Sequence, residues 1–185
     1  MPRTRRATRP RRSAEPGLTR GGAAGSLGPK SGGFPPMPPP PPAPARFPFW
    51  TEEKLRIADT DMNGHVNNGA IGAFCEAGRV EVMRAIAGPP ESSPVRMVVA
   101  RVEIDYRAEI HFPGRVRIGT AVTRLGGSSL TVEQGLFREG ACFATSRAVM
   151  VMLDPATRRP APIPAALRAG FAALAPIGEA AEESA

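Results

Sequence analysis

One helix-period stripe interrupts a chain whose ordered part otherwise alternates as a sheet does, and that interruption limits the folds open to it. Ile71, Phe74, Cys75, Gly78, Val82, Ala85 and Ile86 recur at three- and four-residue spacing, which draws a single apolar face along a helix over about residues 66–86. Gly88-Pro89-Pro90 stops it. Glycines at 69, 72 and 78 each disfavour a helix by about 1 kcal/mol relative to alanine. Small residues kept at that cost imply close approach, so the helix is expected to be wrapped by other elements.

Strand signals lie on both sides of it. Residues 49–58 precede it, with Lys54-Leu55-Arg56-Ile57 alternating polar and apolar. Four more stretches follow, over residues 95–108, 115–125, 129–137 and 141–153, parted by Phe112-Pro113-Gly114, Gly126-Gly127 and Glu139-Gly140. One strand, one helix and four antiparallel strands predict an α+β domain of about 130 residues, with the helix laid across a single sheet.

Between the first strand and the helix runs Asp59-Thr60-Asp61-Met62-Asn63-Gly64-His65-Val66-Asn67-Asn68. Two carboxylates, three carboxamides and an imidazole make poor core material, because each buried polar group costs free energy unless it finds a partner. The run is therefore a solvated loop or a site. Its place at a helix start favours a site, since free N–H groups and the positive end of the helix dipole stabilise developing negative charge there.

The formal charge of +7 belongs to one end of the chain. Residues 1–46 hold nine basic residues against Glu15 alone, whereas the remainder holds 15 basic and 16 acidic residues. The basic end is Arg-rich, then Gly/Ser-rich, then Pro-rich, with too few apolar residues to offset ordering entropy, so residues 1–45 are expected to be a disordered tail. Six arginines in its first twelve residues would hold nucleic acid by charge alone. No aromatic is interleaved to stack on bases, and no nucleic-acid partner is expected. Met37 offers an alternative start that would drop most of the tail. Cys75 and Cys142 lack metal-ligand spacing and read as small core hydrophobes in a reducing, cytoplasmic setting. No apolar run reaches the roughly 18 residues that a membrane span needs.

The polar run, the helical Glu76-Ala77-Gly78-Arg79, then Asp105-Tyr106, Pro113-Gly114 and Gly127-Ser128-Ser129 together resemble the hotdog-fold acyl-CoA thioesterases of the 4-hydroxybenzoyl-CoA type. The resemblance covers residues 47–164. The Asp61-x-Asn63-x-His65 spacing is also similar to the catalytic pattern of plant acyl-ACP thioesterases. It implies a hotdog domain over 46–164, one long central helix wrapped by a five-stranded antiparallel sheet. Residues 165–185 are then a short helix and an acidic tail.

The resemblance implies further that Asp61 is general base or nucleophile, that the backbone N–H of Asn68 holds the oxyanion, and that Asn63 and His65 position water and substrate. Glu76, Ser128 and Ser129 become substrate-binding candidates. Glu76 alternatively pairs with Arg79 at i, i+3. Asp59 reads as a turn or cap residue, and His111 as an ordinary surface residue. Arg124, Arg138 and Arg147 are candidates for nucleotide phosphates. The implied activity is cofactor-free, metal-free hydrolysis of acyl-CoA to acid and CoA in a homodimer or homotetramer, with acyl carrier protein as the alternative carrier. A non-catalytic hotdog protein that binds acyl thioesters or a protein partner is the competing reading, and dehydration of hydroxyacyl thioesters a weaker one. An EF-hand reading of Asp59, Asp61, Asn63 and Gly64 fails, because Ala70 stands where the bidentate glutamate belongs.

Overall fold

The computed structural model describes residues 39–89 and 96–178. Residues 1–38, with the basic tail and Met37, and the acidic end after 178 lie outside the described residues. Five strands form one antiparallel sheet: β1 (Phe49–Lys54), β2 (Arg96–Tyr106), β3 (Arg115–Leu125), β4 (Ser129–Arg138) and β5 (Ala141–Leu153). Their order across the sheet is β1-β3-β4-β5-β2. Every neighbouring pair is antiparallel. The α+β architecture predicted from the periodicities is therefore present.

Helix α1 (Asn68–Ala87) lies across the face formed by β1, β3 and β4. Ile71, Phe74 and Cys75 of α1 share a core with Leu55, Val116, Ile118, Leu136 and Phe143. The approach is close at Gly78, where an added Cβ would stand 2.6 Å from Gln134 Nε2 and 2.8 Å from Ile118 Cγ2. Burial raises the pKa of the Cys75 thiol, which suits a packing residue and not a nucleophile. The sheet covers only one face of α1; Glu76, Val80, Glu81 and Arg84 on the other face are exposed.

A second helix, α2 (Ala165–Ala172), closes the far end of the sheet. Its Phe171 is fully buried against a cluster that includes Val122, Leu130 and Met152. On the sheet's other face, Phe47 and Phe137 pack with Ala121, and Trp50 joins them. Added Cβ atoms at Gly119 and Gly135, which face each other across β3 and β4, would both collide with the Phe47 ring.

Two boundaries differ from the periodicity. β1 ends at Lys54, and Ile57 is 73% exposed in a 3-10 turn (Ile57–Asp59), because Asp59 draws the chain into a cap with Arg56 and breaks the alternation. β2 is an edge strand whose other side is unpaired among the described residues. Its valines therefore face solvent in the single chain, with Val99 44% and Val102 41% exposed.

Candidate active site

The polar run is a tight, internally bonded loop. Leu55 is buried and its N–H donates to Gly114 O at 3.0 Å, anchoring the chain where β1 ends. Asp59 is buried; it accepts the Arg56 backbone N–H at 2.7 Å and the Arg56 guanidinium at 2.8 Å. The Arg56 side chain, chiefly by hydrogen bonding, holds the Asp59 carboxyl below its ordinary range. Asp59 is thus a cap, as its position suggested. Its carbonyl accepts the Asn67 N–H at 2.8 Å, and Thr60 bridges Val66, so the two ends of the loop are zipped together.

Inside that zip sits Asp61. Its N–H donates to His65 O at 2.9 Å, and the Gly64 N–H donates back to Asp61 O at 3.1 Å. Gly64 takes φ of +80°, the left-handed turn position that a side chain would strain. Asp61 Oδ1 accepts the N–H groups of Asn63 at 2.8 Å and His65 at 3.2 Å. Its Oδ2 takes no hydrogen bond among the described residues, so one oxygen is pinned and the other is available.

Asn67 caps α1: its side chain accepts the Gly69 N–H at 2.7 Å. Asn68 is the first helical residue, and its backbone N–H has no acceptor among the described residues. Asp61, His65, Asn68 and Ile71 line one cleft of about 330 Å³, walled on the other side by residues 106–110. The loop, the helix start and the free end of β2 thus meet in a single space.

Other candidates fall elsewhere. Glu76 is exposed and lines a separate cavity of about 250 Å³ with Arg79, Met83 and Met97. Arg79 is 7% exposed and donates to Gln134 Oε1 at 3.2 Å. Burial acts against the Arg79 charge, which this inward acceptor meets, and the Glu76 carboxylate still favours it electrostatically at i, i+3 without a close ion pair among the described residues. Ser128 and Ser129 are not brought into the Asp61 cleft. Their carbonyls accept the N–H groups of Met152 and Gly126 at the β3–β4 turn, which α2 covers. Arg138 donates to the carbonyls of His111 and Pro113, and Arg147 lies 4.0 Å from Glu133. Arg138 is thereby tied to the backbone, whereas the Arg147 side chain stays largely exposed. A further cavity of about 480 Å³ lies between residues 39–47 and strands β2, β4 and β5 and holds none of the candidates named for the catalytic step.

Glu109, which no sequence signal singled out, lines the cleft, and His111, which reads as an ordinary surface residue, stands against His65 beside it. His65 Nε2 lies 3.3 Å from Glu109 Oε2, and the His65 and His111 rings meet edge to face with centroids 4.9 Å apart. Tyr106 lines the same cleft. Nothing local marks the contact of Glu109 and His111 with His65, since it closes over more than 40 residues of intervening chain.

A family model described as the thioesterase-like superfamily matches residues 55–171. The chain belongs to this family. Among its relatives, the acyl-CoA thioester hydrolase YbgC of Escherichia coli O6:H1 is 26% identical over 122 residues, 64% of this chain and 91% of YbgC. The uncharacterized protein YsmA of Bacillus subtilis is 30% identical over 109 residues, 58% of this chain and 74% of YsmA. The PA5185 protein of Pseudomonas aeruginosa superposes with a TM-score of 0.70 at 32% identity, covering 76% of this thioesterase and 100% of that chain. A thioesterase from Thermus thermophilus, solved with coenzyme A and Zn, gives 0.61 at 34% identity, covering 68% and 98%. This thioesterase therefore has the hotdog fold that its motifs suggested. Among its described residues no helix is long and apolar enough to cross a membrane.

Proposed function

We propose that this thioesterase hydrolyses acyl-CoA to the free acid and CoA, with Asp61 as general base and the Asn68 N–H as oxyanion donor. The observation that carries this reading is the shared cleft: a carboxylate with one oxygen unbonded and a helix-start N–H without an acceptor, among the described residues, line one space. Asp61 Oδ2 takes the proton of a water that attacks the thioester carbon. The carbonyl oxygen gains charge, and the Asn68 N–H with the helix dipole stabilises it; a donor of this kind contributes about 3–4 kcal/mol. Collapse of the tetrahedral intermediate breaks the C–S bond and releases the CoA thiolate. Asn63 and His65 act through their backbone N–H groups, which orient the Asp61 carboxylate.

Coenzyme A in the Thermus structure and the activity named for YbgC support CoA as the carrier. The apolar, unpaired edge of β2 supports a homodimer joined through that strand, because an open edge pairs readily. β2 ends beside the cleft, so a partner there would complete its wall. Thiol release from acyl-CoAs of graded chain length tests the reading. Turnover of at least one of them is expected, together with a sedimentation mass of two chains. Binding without thiol release across the whole series would overturn it.

A further inference from the structure

His65, Glu109 and His111 meet on one face. His65 and His111 form an antiparallel β-bridge, which sets two opposed side chains on the same side. The Val66 N–H donates to Ile110 O at 2.8 Å beside it and locks that register. Ile110 is buried while Glu109 and His111 are exposed, so the segment alternates as extended chain does and Glu109 shares the side of His111.

The donor atoms of the three residues all lie within 4.8 Å of one another. Ligands about 2.0–2.1 Å from a tetrahedral zinc are separated by roughly 3.4 Å. The His65 Nε2 to Glu109 Oε2 distance, 3.3 Å, already meets that spacing. His111 needs only a side-chain adjustment at an exposed position. Its Nδ1 lies 3.1 Å from Gly64 O, a carbonyl that can only accept, so Nδ1 carries the hydrogen and Nε2 is the ring nitrogen left for a metal. A carbonyl behind a histidine in this way is the outer support that metal-binding imidazoles use. The backbone behind the site is held as well, since Arg138 donates to His111 O and Pro113 O.

We propose that His65, Glu109 and His111 form a reversible Zn(II) site at the Asp61 cleft, which His65 and Glu109 line, and that zinc bound there inhibits the enzyme. Two imidazoles and one carboxylate suit zinc over calcium or magnesium, and three protein ligands leave a fourth position for water. The bound cation with its water occupies part of the cleft. The inhibition rests on the proposed role of Asp61; the binding does not.

The test uses untagged protein stripped with chelator and dialysed. Calorimetry with ZnCl2 is expected to saturate at one metal per chain, and CoCl2 to give the visible absorption of a low-symmetry site. His111→Ala and Glu109→Gln are each expected to weaken zinc binding more than about tenfold, since losing even an outer partner costs about 10- to 100-fold. Thermal melts of both variants without metal check that each is folded. Zinc is expected to slow acyl-CoA hydrolysis by the wild type, while His111→Ala keeps its metal-free rate and resists zinc. Absence of a saturable site, or binding that survives both substitutions, overturns the proposal. Inhibition of His111→Ala equal to that of the wild type overturns the inhibitory role. Binding lost in the variants without hydrolysis of any acyl-CoA would sustain the metal site and remove the thioesterase reading instead.

Discussion

Asp61 and His65 hold each other through two hydrogen bonds: the Asp61 N–H donates to His65 O at 2.9 Å, and the His65 N–H donates to the side-chain Asp61 Oδ1 at 3.2 Å. The loop therefore fixes its own carboxylate, and the imidazole is left free to turn toward Glu109 and His111.

Asp61→Asn keeps an Oδ1 acceptor for the Asn63 and His65 N–H groups, so the loop is expected to remain folded. It removes the base. Hydrolysis is expected to fall by about 10²- to 10⁴-fold with an unchanged melting temperature, measured by thiol release and thermal denaturation of the same sample.

Asn67→Ala removes the acceptor that stands 2.7 Å from the Gly69 N–H. It should cost about 1 kcal/mol of stability. Asn67→Asp keeps the cap and adds a charge that a helix start favours, so its stability should hold. Its rate should nonetheless fall, because the same charge opposes the oxyanion at Asn68. Urea midpoints and kcat for the two variants check this opposite ordering.

Gly78→Ala sets two effects against each other. Helix propensity favours alanine by about 1 kcal/mol. The new Cβ would meet Gln134 Nε2 at 2.6 Å and Ile118 Cγ2 at 2.8 Å. Gln134 cannot swing aside without breaking its bonds to Cys75 O at 3.0 Å and Thr120 Oγ1 at 3.3 Å. Overpacking of this kind costs about 1–3 kcal/mol, so a net loss of stability in urea is expected.

The Asp59 carboxyl has a folded pKa below its ordinary value of 3.8, because Arg56 bonds the ionised form. A depressed carboxylate adds stability that is fully present above the unfolded pKa and is lost as pH falls through the folded one. Wild type and Asp59→Asn should therefore differ most in melting temperature near neutral pH. The gap should narrow once pH drops below about 4 and close in stronger acid.

Much of the architecture was legible because it is local. The single 3.6-residue stripe gave α1, the turn residues parted β2 to β5, and the polar run at the helix start marked the cleft. Propensity failed at Ile57, where the Arg56–Asp59 cap overrides alternation. It also missed the inward partner of Arg79, Gln134, which comes from β4.

Residue order alone thus determined which elements form, where the chain reverses, and that a carboxylate precedes a helix start by seven positions. Strand pairing decided the rest: that Glu109 and His111 reach His65, that Glu76 and the Ser128–Ser129 turn do not reach Asp61, and that β2 is left at an edge. Periodicity and capping act within a few residues, whereas these contacts depend on a register that only the assembled sheet supplies.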